Sequence, residues 1–323
     1  MKWLRGVVQA VSVAAAVFAC GAQAQSYPTK AVRVVVPFPA GGSNDLVARM
    51  VSQELSKAMG QQFVVDNRGG ASGVIGAEMV ARAPADGYTL MVHSITHLSN
   101  GLLIKKVPYD TVNDFTPVAL LVAQPGVLVV HPSLPVKTVK QFIALAKARP
   151  NEITYGSNGP GGSLHLMMAL FTSMANVKLI HVPYKGGAPL TTSLISGETQ
   201  SATATINTVL AHIKSSRLRA LGVTADTRSG LLPDVPTIAE AGVPGYEFNS
   251  WIGLFGPKGL PQPLVDRLHG EVGKVMKQPE VVKSLANQAL DPWNASQQDF
   301  VRRVKADYEK LAKVIKLAGV QSE

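Results

Sequence analysis

The feature that most limits how this chain can fold is a run of strands and helices that occurs twice. In the first half a valine-rich strand, Val32–Pro37, leads into the turn Ala40-Gly41-Gly42-Ser43. A helix follows with Leu46, Val47, Met50, Val51, Leu55 and Met59 at helical spacing, ended by Gly60. Then come a strand at Gln62–Asp66, a turn at Asn67-Arg68-Gly69-Gly70, a helix near Val74–Ala83 and a strand at Tyr88–Val92. The second half repeats the plan. A strand at Ile153–Gly156 runs into Ser157-Asn158-Gly159-Pro160-Gly161-Gly162-Ser163, then a helix carrying Leu164, Met167, Met168, Phe171 and Met174. Next are a strand at Lys178–Pro183, a turn at Tyr184-Lys185-Gly186-Gly187, a helix around Pro189–Ser196, and strands near Gln200–Ile206 and Leu218–Thr224. Alternating strands and helices with short turns indicate parallel sheets covered by helices. Two such series predict an α/β protein of two lobes, each a doubly wound sheet, joined by a hinge. Identities between the halves are few, so the likeness is one of architecture.

The connections suggest where the lobes divide. Thr116–His131, two Val/Leu-rich stretches around Gln124-Pro125-Gly126, reads as a long strand crossing between lobes. Asp226–Gly245 is rich in Pro, Gly and Asp, and Trp251–Pro257 after it reads as the return crossing. The expected division is 25–124 with 226–323 as lobe 1, and 125–225 as lobe 2. The largely helical tail Pro263–Ala318 is expected on the outside of lobe 1.

The first 24 residues read as an export address. Lys2 and Arg5 precede an apolar run, Val7–Cys20, and Ala22-Gln23-Ala24 is a small-x-small cleavage site. Cleavage near Ala24 implies a periplasmic location and removes Cys20, the only cysteine. The rival readings are an uncleaved anchor, for which the run is short, and lipid attachment at Cys20, against which Phe18 stands. A mature chain without thiols has no disulfides, cysteine nucleophile or thiolate metal ligands.

The 323 residues are 46% hydrophobic and 16% charged, which argues against disorder. The formal charge of +10 suits anionic ligands or an acidic partner surface, and equally mere solubility. No basic run or basic helix suggests nucleic-acid binding. The histidines lack metal-helix spacing, Gly-x-Ser-x-Gly is absent, and so are the dinucleotide and phosphate-loop glycine patterns. No cofactor, metal or catalytic constellation is expected.

The chemistry rests on the turns Pro39–Asp45 and Ser157–His165. Each is a strand end, then glycines and a hydroxyl residue, then a helix start. In open α/β sheets ligands bind at the carboxyl ends of strands. A helix start offers unused N–H groups and partial positive charge, and glycine lets a ligand approach the backbone. The bland alternative is a tight connection that binds nothing. Asp45 reads either as a contact for a ligand ammonium or water, or as a complement to the helix dipole. His165 reads either as a carboxylate contact or as a surface residue. Tyr184 is placed to close over a ligand, and Lys185 reads as a solvated lysine.

These segments resemble the Bug-type receptors of tripartite tricarboxylate transporters. The likeness is carried by Tyr27-Pro28-Thr29-Lys30, by Val36-Pro37-Phe38-Pro39-Ala40-Gly41-Gly42-Ser43-Asn44-Asp45 and by Val65-Asp66-Asn67-Arg68-Gly69-Gly70-Ala71. Ala83-Pro84-Ala85-Asp86-Gly87-Tyr88-Thr89-Leu90 and His181-Val182-Pro183-Tyr184-Lys185-Gly186-Gly187-Ala188 extend it, as do Leu232–Gly242 and Gly253–Pro257. The resemblance covers nearly the whole mature chain. It implies the type II periplasmic binding-protein fold and capture of a small organic carboxylate between lobes. The family's ligands run from di- and tricarboxylates to amino acids and aromatic acids. It further implies delivery to the membrane subunits of a tripartite transporter, by a protein expected to be monomeric. The candidate ligand-binding residues are Phe38, Ala40, Gly41, Gly42, Ser43, Asn44, Asp45, Ser94, Ser157, Asn158, Gly161, Gly162, Ser163, His165, Tyr184, Gly186 and Ala204. Ala204 stands where many relatives carry Asp or a bulkier residue, in a segment expected to contact the far end of the ligand. The same fold would also serve a periplasmic ligand-sensing adaptor for a signalling receptor. An enzyme acting on a carboxylate is the third reading, and it lacks a recognisable nucleophile.

Overall fold

A computed structural model of the chain describes residues 27–318 and Val320; the expected export segment lies outside these residues. Strand β1 (Val32–Val36) is almost entirely buried valine, whose branched side chains suit a sheet covered on both faces. Pro37, which has no N–H to donate, follows directly. β1 lies parallel to both β2 (Phe63–Asn67) and β3 (Thr89–Ser94), with Val34 opposite Val65 and Leu90. Between them run α1 (Ser43–Met59), a short 3-10 turn at Ala71–Gly73 and α2 (Val74–Ala81). Helix α3 (Thr96–Leu103) follows β3.

The second half builds the same trio. After the 16-residue strand β4 (Phe115–Val130) and helix α4 (Val139–Ala148), β5 (Thr154–Ser157) pairs in parallel with β6 (Ile180–Pro183) and β7 (Ser201–Thr205). Helices α5 (Ser163–Ala175), α6 (Gly187–Ser196) and α7 (Ile206–Lys214) follow β5, β6 and β7 in turn. In each trio the strand before the Gly/Ser turn is the central one, so both turns leave the middle of a sheet.

β4 joins the halves. Its first part, from Phe115 to Pro125, pairs antiparallel with β9 (Asn249–Pro257), and Val122 and Ala123 also meet β10 (Asp291–Pro292). Its last part, Gly126 to Val130, lies between β7 and β8 (Arg219–Val223). The strand order is β2-β1-β3-β9-β4-β7-β5-β6, with β8 and β10 also on β4. The crossing strand expected at Thr116–His131 is thus β4.

Two expectations change. β9 is not the return crossing, because it lies wholly beside β3 and the first part of β4. The segment 226–248, expected with the first lobe, packs on the second sheet. The Ile238 N–H donates to Val223 O (2.9 Å) and the Tyr246 hydroxyl to Met167 O (2.9 Å). Ile238, Val243 and Tyr246 are buried anchors within a stretch otherwise rich in turn residues. The tail also divides. Helices α8 (Gln262–Val275) and α9 (Pro279–Ala286) bury Val265, Leu268, Val272 and Val281 in one core with β1 and α1. Helix α10 (Gln297–Ala318) instead spans both halves, resting on α3, β4 and α5. Ser173 on α5 donates to Leu317 O (3.0 Å), and Lys310 pairs with Glu247 at 3.0 Å.

α10 is pinned at its centre. Asp307, nearly buried, accepts from the indole N–H of fully buried Trp251 (2.7 Å) and from Arg303 Nε (2.7 Å). Arg303 also lies over the Trp293 ring, 4.9 Å from its centre. Removing the acceptor strands a buried donor, at a cost of about 1–3 kcal/mol. Asp307→Ala is therefore expected to lower unfolding stability by about 2 kcal/mol in urea titration, and Asp307→Asn, which keeps an acceptor, by less.

Candidate ligand-binding cleft

β1 and β5 end at the same gap between the two sheets. A narrow cleft of about 60 Å3 opens there, lined from the first half by Phe38, Pro39, Ala40, Gly42, Ser43, Asn44 and Ser94. From the second half come Asn158, Ser163, Leu164, Lys185, Gly186, Gly187, Ala188, Pro189, Thr205 and Thr208, and Gln124 of β4 lies between. The walls touch directly. Ser43 Oγ donates to Asn207 Oδ1 (3.1 Å) and lies 3.3 Å from Thr205 Oγ1, while Ser72 Oγ donates to Pro160 O (3.1 Å).

The start of α1 is open, as expected. Gly42 is its N-cap in an extended conformation, with no side chain capping the helix. Among the described residues the N–H groups of Gly42, Ser43 and Asn44 have no acceptor. Asp45 does not line the cleft. It accepts from the Gly41 N–H, Arg49 Nε and Asn67 Nδ2, each at 3.0 Å, and so ties the Pro39–Gly42 turn to its own helix. Burial opposes its ionisation, but these donors and the Arg49 charge hold its carboxyl below the ordinary range.

The start of α5 is closed, contrary to expectation. The Ser163 N–H donates to Thr96 Oγ1 (3.0 Å) and the Leu164 N–H to Asn158 Oδ1 (3.2 Å). The Gly161 N–H donates to His165 Nδ1 (3.0 Å) and the Gly162 N–H to Gly159 O (3.1 Å). A Cβ on Gly162 would overlap Asn158 Oδ1, so glycine there is what lets Asn158 cap the helix. Ser157 is fully buried, with its Oγ 2.7 Å from His181 Nε2. His165 is neither a cleft contact nor a surface residue: it stacks on His181 with ring centres 4.1 Å apart. Ala204 also faces the core, paired with Val127, while its neighbour Thr205 at the strand end lines the cleft. Gly41, Asp45, Ser157, Gly162, His165 and Ala204 therefore support the walls without lining them.

The donors opposite α1 come from elsewhere. α6 and α7 both begin at the cleft, and neither has a side chain capping it. Among the described residues the N–H groups of Gly187, Ala188, Ile206 and Asn207 have no acceptor. Lys185, expected to be merely solvated, lies on the lining and is its only charged side chain among the described residues, none of whose carboxylates lines the cleft. Gln124 Nε2 and Asn44 Oδ1 are buried there without a hydrogen-bond partner among the described residues. Each open helix start contributes about 0.3–1 kcal/mol to holding an anion, and about 2 when partly buried. A small anion is thus the species these walls suit. The Tyr184-Lys185-Gly186-Gly187 turn carries the visible sequence signal, since it too connects a parallel strand to a helix; Thr205 and Thr208 carried none.

Phe38, Pro39, Asn158, Lys185 and Gly186 also border a second, adjoining chamber of about 680 Å3, which Gly161 and Tyr184 help to line. Among the described residues no group of three or more His, Cys, Asp or Glu is placed to hold a metal, and no helix is long and apolar enough to cross a membrane.

This architecture is that of a two-lobed periplasmic solute-binding protein, and comparison with known proteins agrees. The tripartite tricarboxylate transporter family receptor model matches residues 47–320, so the chain belongs to that family, of the Bug type, whose members are solute-binding receptors and not enzymes. BugT of Bordetella pertussis is 34% identical over 313 residues, 96% of each chain. The solved structure of Rpa4515 from R. palustris with adipate is 38% identical, covers 92% of this chain and 100% of its own, and superposes with a TM-score of 0.89. MatC from Rhodopseudomonas palustris with bound malate is 30% identical, with coverages of 90% and 100% and a TM-score of 0.84.

The buried histidines set an acid limit. Burial, and then the nearby His181, push His165 down to about 3 from an ordinary 6.5. Burial pushes His97 down to about 4 and His93 well below its usual value. Above pH 6.5 both folded and unfolded chains hold these rings neutral. Below it the unfolded chain takes up protons that the folded one refuses, so stability falls by about 1.4 kcal/mol per pH unit for each ring. Thermal melts from pH 7 to pH 4 are expected to show this loss, and His97→Phe, among Phe115, Tyr109 and Phe255, is expected to make it shallower.

Proposed function

We propose that this protein is an exported receptor that captures a small organic carboxylate between its lobes and delivers it to the membrane subunits of a tripartite transporter. The observation that carries the reading is the convergence of three open helix starts, α1, α6 and α7, with Lys185 as the only charged side chain on the lining among the described residues. The carboxylate sits against the Gly42–Asn44 amides on one side and the Gly187–Ala188 amides on the other. Gln124 Nε2 supplies a further donor from the crossing strand. The adipate of Rpa4515 and the malate of MatC support the ligand class.

The lobes move as 27–124 with 249–318 against 125–248, since the contacts of 226–248 favour the second sheet. Ligand favours the closed form only by binding it better than the open one. Ser43 and Ser72, which already reach across the gap, hold that form together. The mature protein begins at Gln25 and acts in the periplasm as a monomer.

Gly42→Asp tests the cradle. Gly42 has φ −85° and ψ 170°, and a Cβ there meets nothing closer than Pro39 O at 4.0 Å. Asp is a favoured N-cap in that conformation, so the fold is expected to be unharmed or slightly stabilised. Its carboxylate takes the α1 amides itself, and calorimetry against a panel of organic acids should find binding lost, at least a hundredfold. Undiminished binding refutes the cradle. Intact mass of the periplasmic protein is expected to correspond to a start at Gln25; retention of the first 24 residues would refute cleavage there.

A further inference from the structure

The adjoining chamber adds information about the ligand that the anion cradle does not contain. It shares Phe38, Pro39, Asn158, Lys185 and Gly186 with the cleft, and its other walls include Gly70, Ala71, Leu103, Ile104, Pro160 and Tyr184. Among the described residues Lys185 is the only charged side chain on them, and it lines the cradle as well. Of the polar side chains present, Ser72 and Asn158 are engaged, and the Tyr184 hydroxyl is buried without a hydrogen-bond partner among the described residues. Ser72 donates its hydroxyl hydrogen to Pro160 O (3.1 Å), and Asn158 Oδ1 accepts the Leu164 N–H. A second carboxylate lodged there would give up water and have as its only cation Lys185, which the cradle shares, and that is unfavourable in an apolar site. An uncharged hydrocarbon body gains by the same burial.

We propose that the preferred ligand is a monocarboxylate with an uncharged alkyl or aryl body: the carboxylate is held in the cradle and the body lies in the chamber beside Leu103, Ile104 and Pro160. This rests on the cradle reading and narrows its ligand class.

The test is a chain-length series measured by calorimetry: butanoate to octanoate with phenylacetate, against dicarboxylates from succinate to suberate. Each methylene buried in the chamber is expected to tighten binding about fourfold until the space is filled. At equal length the monocarboxylate should bind at least tenfold more tightly than the dicarboxylate. Ile104→Trp, which fills the chamber, is expected to flatten the dependence on length. Ile104→Lys, which gives a distal carboxylate a partner, should narrow or invert the preference. Melting temperatures of both variants confirm that they are folded. A flat series, dicarboxylates binding as tightly as monocarboxylates, or unchanged selectivity in both folded variants overturns the chamber assignment. If those outcomes occur while Gly42→Asp still abolishes binding, the cradle stands and only the chamber reading falls. Failure of every acid in both series to bind wild-type protein removes both.

Discussion

Everything in the molecule is referred to one continuous strand. β4 spends its first eleven residues, to Pro125, in the ladder with β9 and its last five between β7 and β8. A strand shared by two sheets fixes where they meet. Gln124, which lines the cleft, is the residue just before that exchange. Because β1 and β5 are each the central strand of a parallel trio, their carboxyl ends face the same gap, where an α/β sheet offers its binding groups.

Symmetry of architecture does not carry over into symmetry of chemistry. The two Gly/Ser turns follow equivalent strands, yet one helix start is vacant and the other is occupied by the protein's own Thr96, Asn158 and His165. The occupied one acts as a joint: Thr96 and Ser99 of the first half grip Ser163 and Gly161 of the second, and the Ser99 bond is 2.6 Å and buried. The vacant one is kept in shape by Asp45, which spends its acceptor capacity on the turn behind it. Open amides are then supplied by the turns after β6 and β7.

Much of this was legible in the sequence, for physical reasons that can be named. Valine runs closed by proline, followed by glycine and a hydroxyl residue, gave both trios, because strand burial and helix starts are local matters. The crossing strand was readable from its length and apolarity. What was not legible depends on partners distant in the chain. Nothing near Ser163 announces that its amide is taken by a threonine 67 residues earlier. Ala204 and Thr205 differ by one position in a strand, and that one position separates core from cleft. The segment 226–248 hid buried side chains such as Ile238, Val243 and Tyr246 among turn formers, and Lys185 looked like any surface lysine.

The last helix has a consequence for how the chain reaches its native state. α10 buries Phe300 against Trp251, Phe255 and Gly253 of β9, and Leu311 and Val314 in the core that both halves share. Until the final twenty or so residues are in place, neither half has its full cover, and the aromatic floor of β9 stays open to water. α10 is thereby the wedge that closes both halves at once.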